Sequence, residues 1–230
     1  IGYSPAPLDT SATPLHQVLS KHNLLESPAA KAVLSMPPGM IVYAHRQYGR
    51  VIYLSGRSIA AKRHWNLPSD LVGGKRTYEN NAATGGFHLL VEGQADAISL
   101  AQLGVRATAL CGLAVADASR ILANLVALDA DSAGSAKAVE IALQLDPLTP
   151  ILIWPQPSKD AADWVKAGGT LSGLAALAGE SSAAIVHLAA QIKASRDGQR
   201  QALQRQLCDA FETLADVQQA DYKERIAKAM

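Results

Sequence analysis

From Gly86 onward the chain alternates short apolar runs with runs of helical character, and few folds accept that pattern. Phe87–Val91, Ala107–Cys111, Leu125–Leu128 and Ile151–Trp154 read as strands. Ala95–Leu103, Val115–Ala123, Ala133–Leu145 and Ala161–Ala167 read as the helices that follow them. Strands spaced by helices of about ten residues build βαβ units and hence a parallel sheet. The apolar runs lack a strict polar alternation, as strands covered on both faces should. The predicted class is α/β, a parallel sheet flanked by helices.

The flanks differ in character. Residues 1–85 read as a mixed α+β subdomain. Leu15–Leu25 suggests a short helix. Met40–Ala44 and Arg50–Leu54 suggest strands joined by a hairpin turn within His45–Gly49. Pro37-Pro38-Gly39 is a breaker, and Asn66–Gly86, rich in Gly, Pro, Asn and Ser, reads as loops and a boundary. After Gly168-Gly169 the chain turns helical. Ala183–Ala194 and Arg200–Leu214 carry apolar positions at helical spacing, and Tyr222–Met230 begins another helix. The expected division is 1–85, 86–170 and 171–230.

Composition narrows the class. Hydrophobic residues make up 49% of the 230 and aromatics only 5%, so the core is expected to be built from small residues on helices. No run approaches the roughly 18–20 apolar residues of a membrane span, and no basic-then-apolar signal peptide opens the chain. The opening Ile1 suggests a segment cut from a longer protein. Cys111 and Cys208 are isolated, without metal-type spacing, and read as reduced, partly buried thiols. A cytoplasmic location is expected.

The net charge of +1 hides a partition. Residues 1–80 hold nine Lys/Arg against four Asp/Glu, whereas residues 81–180 hold five against ten. Residues 181–230 are nearly balanced, with seven against six. A cationic part beside an anionic one suits a polyanion held against a metal-binding centre.

The acidic residues are placed accordingly. Glu92 ends the first strand of the alternating region, and Asp96 lies on the first turn of the helix after it. Asp129 and Asp131 end the Leu125–Leu128 strand, two residues apart and therefore on one side of an extended chain. Asp160 and Asp163 follow the last strand. Ligands bind at the carboxyl ends of strands in open parallel sheets, so these carboxylates converge. An Asp before a helix is also commonly just an N-cap, and Asp131 and Asp163 each admit that simpler reading. Crowded carboxylates repel and raise one another's pKa. A hard divalent cation relieves this, and oxygen-only ligands favour Mg²⁺ or Mn²⁺ over zinc. The matching chemistry is phosphoryl or nucleotidyl transfer.

With these residues in view, 86–167 resembles a Toprim domain. Val91-Glu92-Gly93-Gln94-Ala95-Asp96-Ala97 matches its Glu-Gly-x-x-Asp element, and Leu128-Asp129-Ala130-Asp131-Ser132-Ala133-Gly134 its Asp-x-Asp-x-x-Gly element. Ala109-Leu110-Cys111-Gly112 is similar to the strand-turn between them. Lys159-Asp160-Ala161-Ala162-Asp163-Trp164 is similar to a following acidic segment of primases, although its second acid is displaced by one residue. The flanks resemble the catalytic core of DnaG-type bacterial primases. The similar segments are Ile1-Gly2-Tyr3-Ser4-Pro5, Gly49–Ser58, Thr77-Tyr78-Glu79-Asn80 and the helical tail around Ala220–Ala227.

That resemblance implies a DNA primase core making short RNA primers from NTPs on single-stranded DNA. Glu92, Asp129 and Asp131 would be catalytic, with Glu92 a metal ligand or general acid/base. Asp96, Asp129, Asp131 and Asp160 would hold Mg²⁺ or Mn²⁺. Arg57, Lys75 and Arg76 would contact template or nucleotide phosphates. A replicative helicase would dock through segments outside this chain, and no membrane is involved. The rival readings are another Toprim enzyme, such as a topoisomerase or nuclease fragment, and a non-catalytic nucleic-acid-binding module. His88 reads as a strand residue, Trp154 and Trp164 as packing against the sheet, and His45 and His64 have no assigned role.

Overall fold

A computed structural model describes residues 2–4, 13–82, 86–112 and 121–230. The chain divides into two compact units, 1–78 and 79–230.

In the first unit an antiparallel sheet runs in the order β1 (Gly2–Ser4), β2 (Met40–Gln47), β3 (Arg50–Ser58) and β4 (His64–Asn66). The two central strands extend the sequence reading by three or four residues. They close through a two-residue turn in which Tyr48 and Gly49 both have positive φ, 50° and 76°. That is the twist-matched turn hairpins favour, usually with Asn or Asp at its first position; Tyr48 takes that place with its side chain in solvent. Two helices lie between β1 and β2: α1 (Pro14–Lys21) and α2 (Pro28–Leu34). Each opens with a side-chain cap before a proline. Thr13 accepts from the His16 amide and Ser27 from the Ala30 amide, both at 3.2 Å. The helix expected over Leu15–Leu25 therefore ends earlier, where Asn23 takes a positive φ. The short α3 (Ser69–Val72) interrupts the predicted loop.

His45 joins this unit together. It is fully buried, and its Nε2 lies 2.8 Å from Ser55 Oγ on β3 while Nδ1 donates to the Thr77 carbonyl at 2.8 Å. Tyr53 and Tyr78 meet its ring edge-on. Burial holds its pKa below the ordinary value, so the neutral ring links the sheet to the segment carrying Lys75 and Arg76.

The second sheet has the order β10 (Ser182–Ala183), β9 (Pro150–Ile151), β8 (Leu125–Val126), β6 (His88–Val91), β7 (Arg106–Ala109) and β5 (Tyr78–Glu79). β6, β7, β8 and β9 are mutually parallel and β10 is antiparallel to β9. Several strands are shorter than the apolar runs, yet backbone pairing continues past their ends. Ala127 donates to Leu90, Leu110 to Val91, and Leu152 to Val126, all at 2.8–2.9 Å. Three helices follow strands as expected: α4 (Gln94–Gln102), α5 (Ser132–Leu145) and α6 (Ala161–Lys166). The helix expected over Val115–Ala123 lies outside the described residues up to 120, and 121–123 are not helical.

The tail comprises α7 (Leu171–Glu180), α8 (Ala184–Ala194), α9 (Asp197–Glu212) and α10 (Asp216–Ala229). Ala184, Ile185, Leu188, Ala189 and Ile192 of α8 bury the face set by helical spacing. They share one core with Leu90, Val126 and Ile151 of the sheet, Ile141 of α5, Leu207 of α9 and Ile226 of α10. Alanines recur throughout that core, as the composition implied. Trp154 is buried against the sheet with its indole N–H on the Ala127 carbonyl at 3.3 Å, and Trp164 lies against it at 5.6 Å between ring centroids. Asn80 fixes the start of this unit: its amide nitrogen donates to the Ala97 and Val105 carbonyls, and its oxygen accepts from Ala107. Cys111 is half-buried and Cys208 is exposed, neither in a disulfide; for Cys208 this departs from the partly buried reading.

Candidate metal-dependent active site

The strand ends of β6 and β8 and the loop after β9 deliver the acids. β6 ends at Val91, so Glu92 follows the last paired residue and Asp96 becomes the third residue of α4. Asp96 is 6% exposed. Its Oδ2 accepts from the Gly93 amide at 3.0 Å and its Oδ1 from the Ala162 amide at 3.1 Å. This carboxylate therefore joins the start of α4 to the start of α6. Burial, then the charge of Asp160, raise its pKa to about 6.

Asp129 follows β8. Burial raises its pKa to about 6, and the carboxylates of Glu92, Asp96, Asp160 and Asp131 add to the shift in that order. One side chain thus feels all four other acids, which places the five in a common electrostatic neighbourhood. The backbone holds them there. The Cys111 amide donates to the Glu92 carbonyl at 3.0 Å, and the Ala130 amide to the Lys159 carbonyl at 2.7 Å. The second bond ties the Asp129–Asp131 loop to the segment that presents Asp160.

Asp131 and Asp160 are helix caps as well as acids. Asp131 Oδ1 accepts from the Gly134 amide at 2.7 Å at the head of α5. Asp160 Oδ1 accepts from the Asp163 amide at 2.7 Å at the head of α6. The cap on α6 is therefore Asp160; Asp163, given that alternative from sequence, is an exposed residue of the first turn. The i, i+2 argument for Asp129 and Asp131 holds only in part, because Asp131 turns to serve its helix while Asp129 stays half-buried.

Sequence reading missed Lys137. Its Nζ lies 3.2 Å from Glu92 Oε1. The available signal was position: Lys137 is three residues after Gly134, on the α5 face next to Asp129. Gly134 belongs there because a Cβ would stand 2.3 Å from the Asp129 carbonyl oxygen. His88 is a strand residue as expected, with Nε2 2.7 Å from Thr108 Oγ1 across β6 and β7.

Among the described residues no three His, Cys, Asp or Glu form a group that could hold a metal ion. Glu92 engages Lys137, Asp96 two amides, and Asp131 and Asp160 their cap amides. The donor chemistry nevertheless fits a hard divalent cation: all five are carboxylates, and their mutual repulsion is what such a cation relieves.

The predicted phosphate contacts fall in the other compact unit. Arg57 is exposed on β3 opposite Ile41 and His64. Lys75 is exposed, and Arg76 donates to the Val72 carbonyl at the end of α3 at 3.0 Å. No helix among the described residues is long and apolar enough to cross a membrane.

Residues 89–165 match the family described as Toprim-like. The matched segment contains Glu92, Asp96, Asp129, Asp131 and Asp160. The chain as a whole has the fold of DnaG-type primase catalytic cores. It is similar to the Aquifex aeolicus primase zinc-binding and RNA polymerase domains, with TM-score 0.72 and 22% identity over 99% of this chain; it spans 61% of that one. The E. coli primase catalytic core matches with TM-score 0.66 and 16% identity, covering 96% of this chain and 93% of that chain. A DnaG primase catalytic domain bound to ssDNA matches with TM-score 0.63 and 17% identity, over 97% and 92% of the two chains. No curated protein matches.

Proposed function

We propose that the chain is a DNA primase core, a nucleotidyltransferase that joins NTPs on a single-stranded DNA template with Mg²⁺ or Mn²⁺. The observation that carries this reading is geometric: β6, β8 and the loop after β9 present Glu92, Asp96, Asp129, Asp131 and Asp160, tied to one another by the Asp96–Ala162 and Ala130–Lys159 hydrogen bonds, in a fold like that of primase cores. The alternatives of a nuclease or topoisomerase fragment share the acids but not the likeness of the whole chain to those cores.

In this reading Asp96, Asp129, Asp131 and Asp160, with Glu92, hold the cations. When bound, the ions neutralise charge on the transferring phosphoryl group and lower the pKa of the attacking 3′-hydroxyl. Asp129, the least engaged of the five among the described residues, offers the cations the most lone pairs. Asp131 and Asp160 each keep one oxygen on a helix amide and offer the other. Glu92, paired with a single ammonium, is the acid best able to exchange partners and to act as general acid/base. Arg57, Lys75 and Arg76 bind template or nucleotide phosphates, contacts that carry affinity without sequence preference. Functionally the chain then divides into a basic template-handling part (1–85), the Toprim-like part (86–170) and a helical part (171–230). A helicase partner and a cytoplasmic setting fit a replication role.

The test is primer synthesis on single-stranded DNA with NTPs and Mg²⁺, beside a plasmid-nicking assay. Asp129→Asn and Glu92→Gln should each remove primer synthesis while leaving the melting transition cooperative. Undiminished metal-dependent synthesis by both variants, or nicking without synthesis by the parent chain, would reject the assignment.

A further inference from the structure

The acidic cluster contains its own cation. Lys137 Nζ lies 3.2 Å from Glu92 Oε1, with the side chains only 24% and 38% exposed. The lysine is carried by α5, whose head is capped by Asp131 and whose Gly134 rests on the Asp129 backbone. Its position is therefore set by the same contacts that set two of the acids.

We propose that Lys137 is a positioning residue that holds the Glu92 carboxylate when no divalent cation is bound and competes with the cation for it. The proposal rests on reading the cluster as a divalent-metal site. A cation that reaches Glu92 must displace the ammonium or accept a like charge beside it, and either lowers its affinity. Magnesium in phosphoryl-transfer sites is commonly held by one or two carboxylates together with substrate phosphates. A lysine that discourages permanent occupancy suits an ion that arrives with a triphosphate.

Binding of Mn²⁺ to the full chain, followed by the electron paramagnetic resonance of free Mn²⁺ without nucleotide, tests this without an activity readout. Lys137→Met should bind Mn²⁺ about two- to fivefold more tightly than the parent, the range set by a partly exposed ion pair. Lys137→Arg should restore parental affinity. The tightening should vanish in a Glu92→Gln background, since the coupling belongs to the pair. Should methionine broaden the melting transition, Lys137→Gln replaces it. Affinity unchanged or weakened in Lys137→Met or Lys137→Gln, or tightening that persists with Glu92→Gln, overturns the proposal. If Glu92→Gln weakens Mn²⁺ binding but neither Lys137→Met nor Lys137→Gln tightens it, only the role of Lys137 falls. If the parent binds no Mn²⁺, the metal reading falls with it.

Discussion

Asp160 and Asp129 are both acids of the cluster, but a substitution removes different things from each. Asp160 stabilises the first turn of α6 through the Asp163 amide. Asp160→Ala should therefore cost about 1 kcal/mol of stability in urea denaturation, and Asp160→Asn, which keeps a capping oxygen, only a fraction of that. Equal losses would show that the charge, not the cap, stabilises the folded chain. Asp129 has no such task among the described residues, and its environment opposes its charge. Its pKa is raised from 3.8 to about 6, so the folded chain binds this proton more tightly than the unfolded chain. The stabilisation from this group is complete below about 4 and is lost as pH rises through 6. Asp129→Asn imitates the protonated form. In chelator its melting temperature should match the parent near pH 4 and exceed it increasingly up to about pH 6.5. The depressed pKa values of His45, His88 and His187 act on both proteins and cancel in the difference. A gap that does not widen with pH would refute the repulsion described for Asp129.

At the scale of elements, α5 shows two effects with opposite signs. Gly134 lies within the helix, where exchanging glycine for alanine ordinarily gains up to about 1 kcal/mol. Here the new methyl would meet the Asp129 carbonyl oxygen at 2.3 Å. That neighbour is backbone and cannot swing away, so overpacking of about 1–3 kcal/mol should prevail. Gly134→Ala is expected to lower the denaturation midpoint and to weaken Mn²⁺ binding, whereas Gly179→Ala, with open space around it, should not. The Asp-x-Asp-x-x-Gly spacing was legible in sequence because it encodes this contact. The parallel strands were legible too, since runs such as Leu89-Leu90-Val91 carry no polar alternation. Strand ends were not, because the apolar runs continue into pairing that is too short to remain a regular ladder. α2 went unread although Ser27-Pro28 is a capping pair, because only seven residues follow and alanine and lysine leave little periodicity. Lys137 stayed hidden for a different reason. Its partner is 45 residues away, and only the placement of α5 brings them together.

For the whole molecule the decisive property is the separation of charge along the chain: residues 1–80 are basic and 81–180 acidic. If Arg57, Lys75 and Arg76 contact phosphates, single-stranded DNA affinity should fall steeply with salt. Each alanine substitution should then reduce the slope of log affinity against log salt by about 0.7, with little change between template sequences. Slopes unaffected by all three would assign the phosphate track to other residues. The acidic part carries a lesson about inheritance. Asp96 spends its carboxylate on the Gly93 and Ala162 amides, so selection for a folded chain alone would preserve it. If the chain is the nucleotidyltransferase proposed above, a descendant could lose every turnover and still display that aspartate, together with the Asp160 that caps α6. Position 129, which shape does not demand, is where the loss of catalysis would first be written.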